Sequence, residues 1–186
     1  GLMIFAGALY SRLRIVRRSR EEVQRERDRS DGLLLNILPE EVANELKAHG
    51  KAEARSFANT TVLFTDFKGF TAMSESLSAA ELVNEIDHCF KGLDAIVERY
   101  GVEKIKTIGD AYMAAGGIPD DGAGHPRDVV KAAIAIQGFL DDWNREKKKI
   151  GESPFEARIG IHTGPLVAGV VGSRKFAYDI WGDTVN

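Results

Sequence analysis

Two aspartates stand where this sequence could do chemistry. Asp66 closes a β-branched and aromatic run, TTVLFTD, and is followed by Phe67-Lys68-Gly69-Phe70-Thr71. A carboxylate at a strand end, beside a glycine turn leading into a helical segment, offers hard oxygen to Mg²⁺ and backbone amides to phosphate. Asp110 follows Ile108-Gly109 in a turn between two short strand-like runs. Two carboxylates brought together repel unless a cation sits between them, and a divalent metal shared with substrate phosphates is the economical answer. Each residue also has a plainer reading. Strand-end aspartates commonly cap turns, and Asp after Gly commonly bonds its own backbone.

Whether the two meet depends on the elements that carry them. Residues 59–66 read as a first strand. Ser78-Ala79-Ala80-Glu81 is a capping box, and behind it Leu82, Ile86, Phe90, Leu93, Val97 and Tyr100 recur at steps of three and four, one apolar helix face that Gly101 stops. Residues 102–107 and 111–115 read as short strands joined in a hairpin at Ile108-Gly109-Asp110. Pro126 opens a second helix, with Val129, Ala133, Ile136, Leu140 and Trp143 on its buried stripe and Lys147, Lys148 and Lys149 at the negative end of its dipole. Phe155, Ala157, Ile159 and Ile161 alternate with Glu156, Arg158 and His162, the period of a half-buried strand. The order strand, helix, strand, strand, helix, strand is the split βαβ arrangement of an α+β, ferredoxin-like domain. In such a sheet the third strand runs antiparallel beside the first, so Asp66 and Asp110 are expected to meet.

Composition sets the frame. Of 186 residues, 44% are apolar and 28% charged, a globular balance rather than that of a disordered chain or a disulfide scaffold. A net charge of -3 gives no overall electrostatic reason to bind nucleic acid. The single cysteine, Cys89, has no disulfide partner within the chain, falls beside the buried face of the first long helix and reads as packing. A reducing, cytoplasmic setting is the default for such cysteine usage.

The N-terminal region differs from the rest. Residues 1–10, GLMIFAGALY, carry no charge, and the next ten hold Arg12, Arg14, Arg17, Arg18 and Arg20 with no acid. Ten apolar residues fall short of the about 20 that cross a bilayer core, but an apolar run giving way to arginines marks the cytoplasmic end of a transmembrane helix. An amphipathic surface anchor and a helix buried in a partner are the alternatives. Residues 1–18 are therefore read as the end of a span with its basic juxtamembrane segment, and the chain, starting at Gly1 and stopping just past Gly182-Asp183, as part of a longer protein. Residues 19–50 follow as a charged helix. Val16, Val23 and Ile37 share one seven-residue register with Ser30 between the last two, a coiled-coil pattern, and a solvated linking helix is the other reading. LLLNILPEEVANELKAHG (33–50) breaks at Pro39 and resumes as a short amphipathic helix ended by Gly50.

Four stretches, FTDFKGFT (64–71), EKIKTIGDAYMAAGG (103–117), ARIGIHTGPLVAGVVG (157–172) and YDIWGDTVN (178–186), resemble in order and spacing the motifs of the class III nucleotidyl cyclases, the adenylate and guanylate cyclase catalytic domain. The likeness covers residues 56–186, and LLLNILPEEVANELK resembles the transducer segment ahead of that domain in many membrane-bound members. The resemblance implies a split βαβ cyclase domain preceded by a long N-terminal signalling helix. Asp66 and Asp110 match the family's metal aspartates, which hold two divalent cations, Mg²⁺ or Mn²⁺, with the backbone carbonyl of Phe67 as a further ligand. Lys68, Gly69, Phe70 and Thr71 match the turn that lies against the substrate phosphates, and Arg158 an arginine that helps hold the polyphosphate.

Lys106 and Asp179 match the pair that reads the base. An ammonium donates to adenine N1 and a carboxylate accepts from the N6 amino group, whereas guanine presents the opposite pattern at both places; members that use GTP carry Glu and Cys or similar residues there. Outside the motifs, Lys106 would read as an exposed strand lysine and Asp179 as a turn residue before Trp181. Asn186 matches the asparagine that orients the ribose. His162 has no second ligand at metal spacing and reads as structural. The implied reaction converts ATP to 3′,5′-cyclic AMP and pyrophosphate, the ribose 3′-hydroxyl attacking the α-phosphate. Guanylate cyclase and a non-catalytic nucleotide-binding signalling module are the alternatives; the GGDEF-type signature of diguanylate cyclases is absent. The resemblance further implies a homodimer in which Asp66 and Asp110 of one copy face Lys106, Asp179 and Asn186 of the other, at the cell membrane with the catalytic domain on the cytoplasmic side. It also puts a transition-state arginine four residues past Asn186, so residues 1–186 on their own are expected to be nearly inactive.

Overall fold

The structure is a computed structural model that describes residues 2–119, 126–172 and 175–186. It opens with α1 (Leu2–Leu35), a helix of 34 residues. From Arg14 to Leu33 every side chain is exposed, as a strongly charged sequence without a wide apolar stripe requires. Among the described residues no helix is long and apolar enough to cross a membrane. Pro39 ends the corner that follows, and α2 (Glu40–His49) runs to Gly50, whose φ of 71° suits the left-handed cap. This short helix is tied at both ends. Lys47 meets Asp31 of α1 at 2.9 Å, while Arg55 reaches back to Glu41 at 3.1 Å and Glu45 at 3.0 Å. Those two carboxylates raise the Arg55 pKa, and the Glu53 amide holds the Glu45 carboxyl below its ordinary value.

Five strands follow, β1 (Arg55–Phe67), β2 (Glu103–Ile108), β3 (Ala111–Gly116), β4 (Ala157–Val171) and β5 (Ala177–Trp181), in the order β2-β3-β1-β4-β5 with every pair antiparallel. Between β1 and β2 lie α3 (Phe70–Ser76) and α4 (Ala79–Arg99), and α5 (Pro126–Lys149) precedes β4. The first four strands with α4 and α5 form the expected split βαβ unit. The capping box is present: the Ser78 hydroxyl accepts from the Glu81 amide and the Glu81 carboxylate accepts from the Ser78 amide; hydrogen bonding of the Ser78 hydroxyl and amide to that carboxylate lowers the Glu81 pKa.

The sheet separates two cores. On one face Leu63, Phe67, Tyr112 and Ala114 pack under Cys89, Leu93 and Val97 of α4 and Val129, Ile136 and Leu140 of α5. On the other, Val62, Met113, Ala115, Leu166, Ala168, Tyr178 and Ile180 are joined by Leu38, Val42 and Ala43, so α2 docks opposite the long helices. Lys147, at the end of α5, is almost fully buried between Glu85 at 2.5 Å and Glu152 at 2.7 Å. Burial acts to lower its pKa, but the bonds from Glu152 and Glu85 prevail and the net shift is upward.

Strand β4 runs nine residues beyond the alternating stretch, whose last residue is His162, and β5 is an element the alternation did not announce. Between the pairs Phe57↔Leu166 and Thr60↔Gly164, β1 advances three residues and β4 two, so β1 carries a bulge. Pro165 falls opposite that bulge, a place in a sheet where the missing N–H of proline is tolerated.

Candidate active site

Asp66 sits one residue before the end of β1, with its side chain on the face turned away from α4 and α5, since Leu63 and Phe67 hold the helix face. Thr65 pairs with Tyr112, so the register brings the end of β1 beside Ala111 and Asp110, as expected. Gly109 takes φ 60° in the β2–β3 turn, a left-handed conformation that a side chain would strain, and Asp110 follows it half-buried. Directly across β4 in register with Asp66 stands Arg158, whose Nη2 donates to Asp66 Oδ2. The guanidinium places a positive charge on this carboxylate. Among the described residues no three His, Cys, Asp or Glu side chains cluster at metal distance. Two carboxylates with the remaining positions left to phosphate, carbonyl or water are the donor set that Mg²⁺ tolerates.

The turn after Phe67 only partly matches its expected part. Gly69, at φ 72°, turns the chain into α3, and the amides of Phe70 and Thr71 lie in a first helical turn, where N–H groups have no intrahelical acceptor. The Thr71 side chain lies outside those described. Lys68, however, is already engaged: its amide donates to the Glu156 carbonyl at 2.8 Å and its ammonium to the Glu156 carboxylate at 2.9 Å. Its backbone N–H is therefore spent on the sheet and does not face a phosphate.

Lys106 and Asp179 meet. They lie on β2 and β5, the two outer strands in the sheet order, yet Lys106 Nζ stands 2.5 Å from Asp179 Oδ2. Asp179 belongs to a strand rather than a turn, and its Oδ1 accepts from the Ile180 amide at 2.9 Å. The Lys106 side chain reaches this position through a second bulge. Strand β2 spends two residues between Lys104↔Ala114 and Lys106↔Met113 where β3 spends one. Strict alternation would put both lysines on one face. Instead Lys104 turns toward α4, meeting Asp94 at 2.7 Å, and Lys106 turns to the opposite face.

Asp94 is a residue that sequence reasoning missed. Besides Lys104 it accepts a hydrogen bond from the Tyr112 hydroxyl at 2.7 Å, fastening α4 to the strand that emerges from Asp110. Burial first, and then this bond, push the Tyr112 pKa well up. The only signal in sequence was an acid on the helix face beside the apolar stripe. Near the Lys106–Asp179 pair, burial pushes the Tyr178 hydroxyl up to about 12 and raises the Glu103 carboxyl. Asn186 follows a segment pinned by Thr184 Oγ1, which donates to the Pro165 carbonyl at 2.6 Å, and Asn186 itself is exposed. His162 is exposed on β4 opposite Val62.

The family described as the adenylate and guanylate cyclase catalytic domain matches residues 52–186. An adenylate cyclase of Mycobacterium bovis is 38% identical over 175 residues, 94% of this chain and 39% of that protein. Guanylyl cyclase C of Homo sapiens is 39% identical over 162 residues, 87% of this chain and 15% of that protein. The chain thus spans well under half the length of either relative. Among solved structures, the adenylyl cyclase CyaB from P. aeruginosa superposes with a TM-score of 0.67 at 28% identity, covering 72% of this chain and 69% of that one. Motif order, sheet topology and these matches show that the chain belongs to the adenylate and guanylate cyclase catalytic domain family.

Proposed function

We propose that this chain is the catalytic portion of an adenylate cyclase that converts ATP to 3′,5′-cyclic AMP and pyrophosphate. The observation that carries the choice of base is the Lys106–Asp179 pair. With the ammonium as donor and the carboxylate as acceptor, the pair complements adenine N1 and N6, and guanine would set donor against donor and acceptor against acceptor. The relatives include both adenylate and guanylyl cyclases, so the base is argued from these two side chains alone.

Asp66 and Asp110 would hold two Mg²⁺ or Mn²⁺ ions, with the Phe67 carbonyl as a further ligand; the bound cations would acidify the ribose 3′-hydroxyl and neutralise charge on the phosphates. The free amides of the first turn of α3 and the Arg158 guanidinium would orient the polyphosphate, and Asn186 the ribose. Asp66, Arg158 and Lys106 all lie on the sheet face away from α4 and α5; α2 covers part of that face, and the exposed side chains of Asp66 and Arg158 mark the part that a second copy would cover. In a symmetric homodimer, Asp66 and Asp110 would meet the partner's base-reading pair, and each site would be incomplete without the other copy. The apolar-to-arginine switch at residues 10–12 supports a membrane tether with the domain on the cytoplasmic side, and α1 with α2 would carry a signal to the dimer.

The test is cyclic-nucleotide production by the full-length protein, with ATP and GTP in parallel, Mn²⁺ present, and Asp110→Asn as control. Cyclic AMP that disappears in the control is the expected result. Cyclic GMP as the only product would overturn the base assignment, and nucleotide binding without turnover in a folded dimer would favour a signalling module.

A further inference from the structure

Arg158 has two positions to serve, and the structure shows only one. Its guanidinium lies on Asp66, the residue read above as a metal ligand, and makes no second side-chain hydrogen bond among the described residues. Both groups are open to solvent, with 72% of the Arg158 side chain and 40% of the Asp66 side chain exposed. Such a pair is weak enough to be displaced. A divalent cation on Asp66 would stand within a few ångströms of the guanidinium, and the two positive charges would repel.

We infer that Arg158 exchanges partners: it neutralises Asp66 while the site is empty, and a divalent cation arriving on Asp66 releases it to the nucleotide polyphosphate. The inference rests on the reading that Asp66 and Asp110 bind divalent cations. Its consequence is a coupling between two ligands. Arg158 opposes the metal when the metal arrives alone and favours the nucleotide once the metal is present, so each ligand strengthens the other by the same factor. Lys68 provides the contrast. It is a neighbouring cation of the same sign, but its ammonium is held by Glu156 rather than by Asp66.

The experiment measures Mn²⁺ binding to the nucleotide-free full-length protein by the loss of the free-ion electron paramagnetic resonance signal, and then binding of 3′-deoxy-ATP, which lacks the attacking hydroxyl, at saturating Mn²⁺. Arg158→Gln is expected to tighten Mn²⁺ about two- to fivefold, the range set by exposed ion pairs, and to weaken 3′-deoxy-ATP. A change of opposite sign for the two ligands is not produced by general damage to the fold. Arg158→Lys, which keeps the charge without the fork, is expected to fall between Gln and Arg, and Lys68→Gln to leave Mn²⁺ affinity unchanged. Unchanged or weaker Mn²⁺ binding in an Arg158→Gln protein that melts like the wild type would overturn the exchange. So would equal tightening by Lys68→Gln, which would point to a diffuse field. Wild-type protein that binds no Mn²⁺, or binds it equally well with Asp110→Asn, would remove the underlying metal reading and the exchange with it.

Discussion

Replacing Lys106 by Glu should damage the protein more than replacing Lys106 and Asp179 together. At 4 Å and an effective dielectric of about 20, opposite unit charges attract by about 4 kcal/mol before water competes. The Lys106 side chain is 37% exposed and that of Asp179 16%, so solvent reduces the net worth of the pair to about 1 kcal/mol, the upper end for accessible ion pairs. Lys106→Glu removes that attraction and sets a second carboxylate against the first. The swing is about 2 kcal/mol, or about 4–8 °C of melting temperature in a chain of this size. Adding Asp179→Cys removes the repulsion and should recover about half of the loss. The assay is thermal unfolding of the single and double variants, followed by cyclisation assays with ATP and GTP. The double variant should shift preference toward GTP, while the single variant should serve neither base well. A single variant melting within about 1 °C of wild type would show that the pair does not exist in solution. A double variant no more stable than the single one would show that like-charge repulsion is not the cause.

The remaining expectations concern the scaffold. Asp94→Asn removes the charged acceptor of both Tyr112 and Lys104 and should cost about 1–3 kcal/mol; because β3 emerges from Asp110, Mn²⁺ titration should also show weaker metal binding, while Tyr112→Phe should lose less on both measures. Cys89 is fully buried, and desolvation first, then Glu85, push its thiol up to about 12. Native protein at pH 8 should therefore resist a thiol reagent that labels the unfolded chain at once. With its folded pKa above its unfolded one, Cys89 contributes stability that is present below about pH 9 and lost as pH climbs toward 12, so Cys89→Ala should flatten the alkaline limb of a melting-temperature profile. Burial likewise raises the Glu103 carboxyl. Its contribution is present at acid pH and lost as pH rises through the ordinary carboxylate range to the raised folded value; Glu103→Gln should be more stable than wild type at pH 7 and the difference should close at low pH.

Much of the fold was legible because its helices declare themselves. The stripe from Leu82 to Tyr100 and the Ser78 capping box are local, and local periodicity survives without knowledge of the partner surface. The juxtaposition of the end of β1 with the start of β3 was legible for a different reason: once the split βαβ order is granted, strand direction alone brings them together. Strand β5 was not legible, since Ala177–Trp181 is too short for its alternation to stand out. The full length of β4 was hidden by Gly164-Pro165, which reads as a break until the β1 bulge opposite explains it. Neither the Arg158–Asp66 pair nor the diversion of Lys68 to Glu156 had a signal in sequence. Both depend on cross-strand and loop contacts between residues about 90 positions apart.

The extra residue in β2 makes the pairing of Lys106 with Asp179 a matter of counting as well as of chemistry. Lys104 and Lys106 are the same amino acid two places apart, and what assigns one to the helix side and the other to Asp179 is the unpaired step between them. A protein engineer could exchange Ile105 for another apolar residue and leave both lysines aimed as they are. Deleting it would leave Lys104 and Lys106 as consecutive residues of a regular strand, still on opposite faces, whereas inserting a residue between Met113 and Ala114 of β3 would remove the two-against-one step and turn one lysine away from its carboxylate. Any transplant of the Lys104-Ile105-Lys106 segment into another sheet must therefore carry the two-against-one pairing with it, because the register of the strand, and not the lysine alone, aims the ammonium at Asp179.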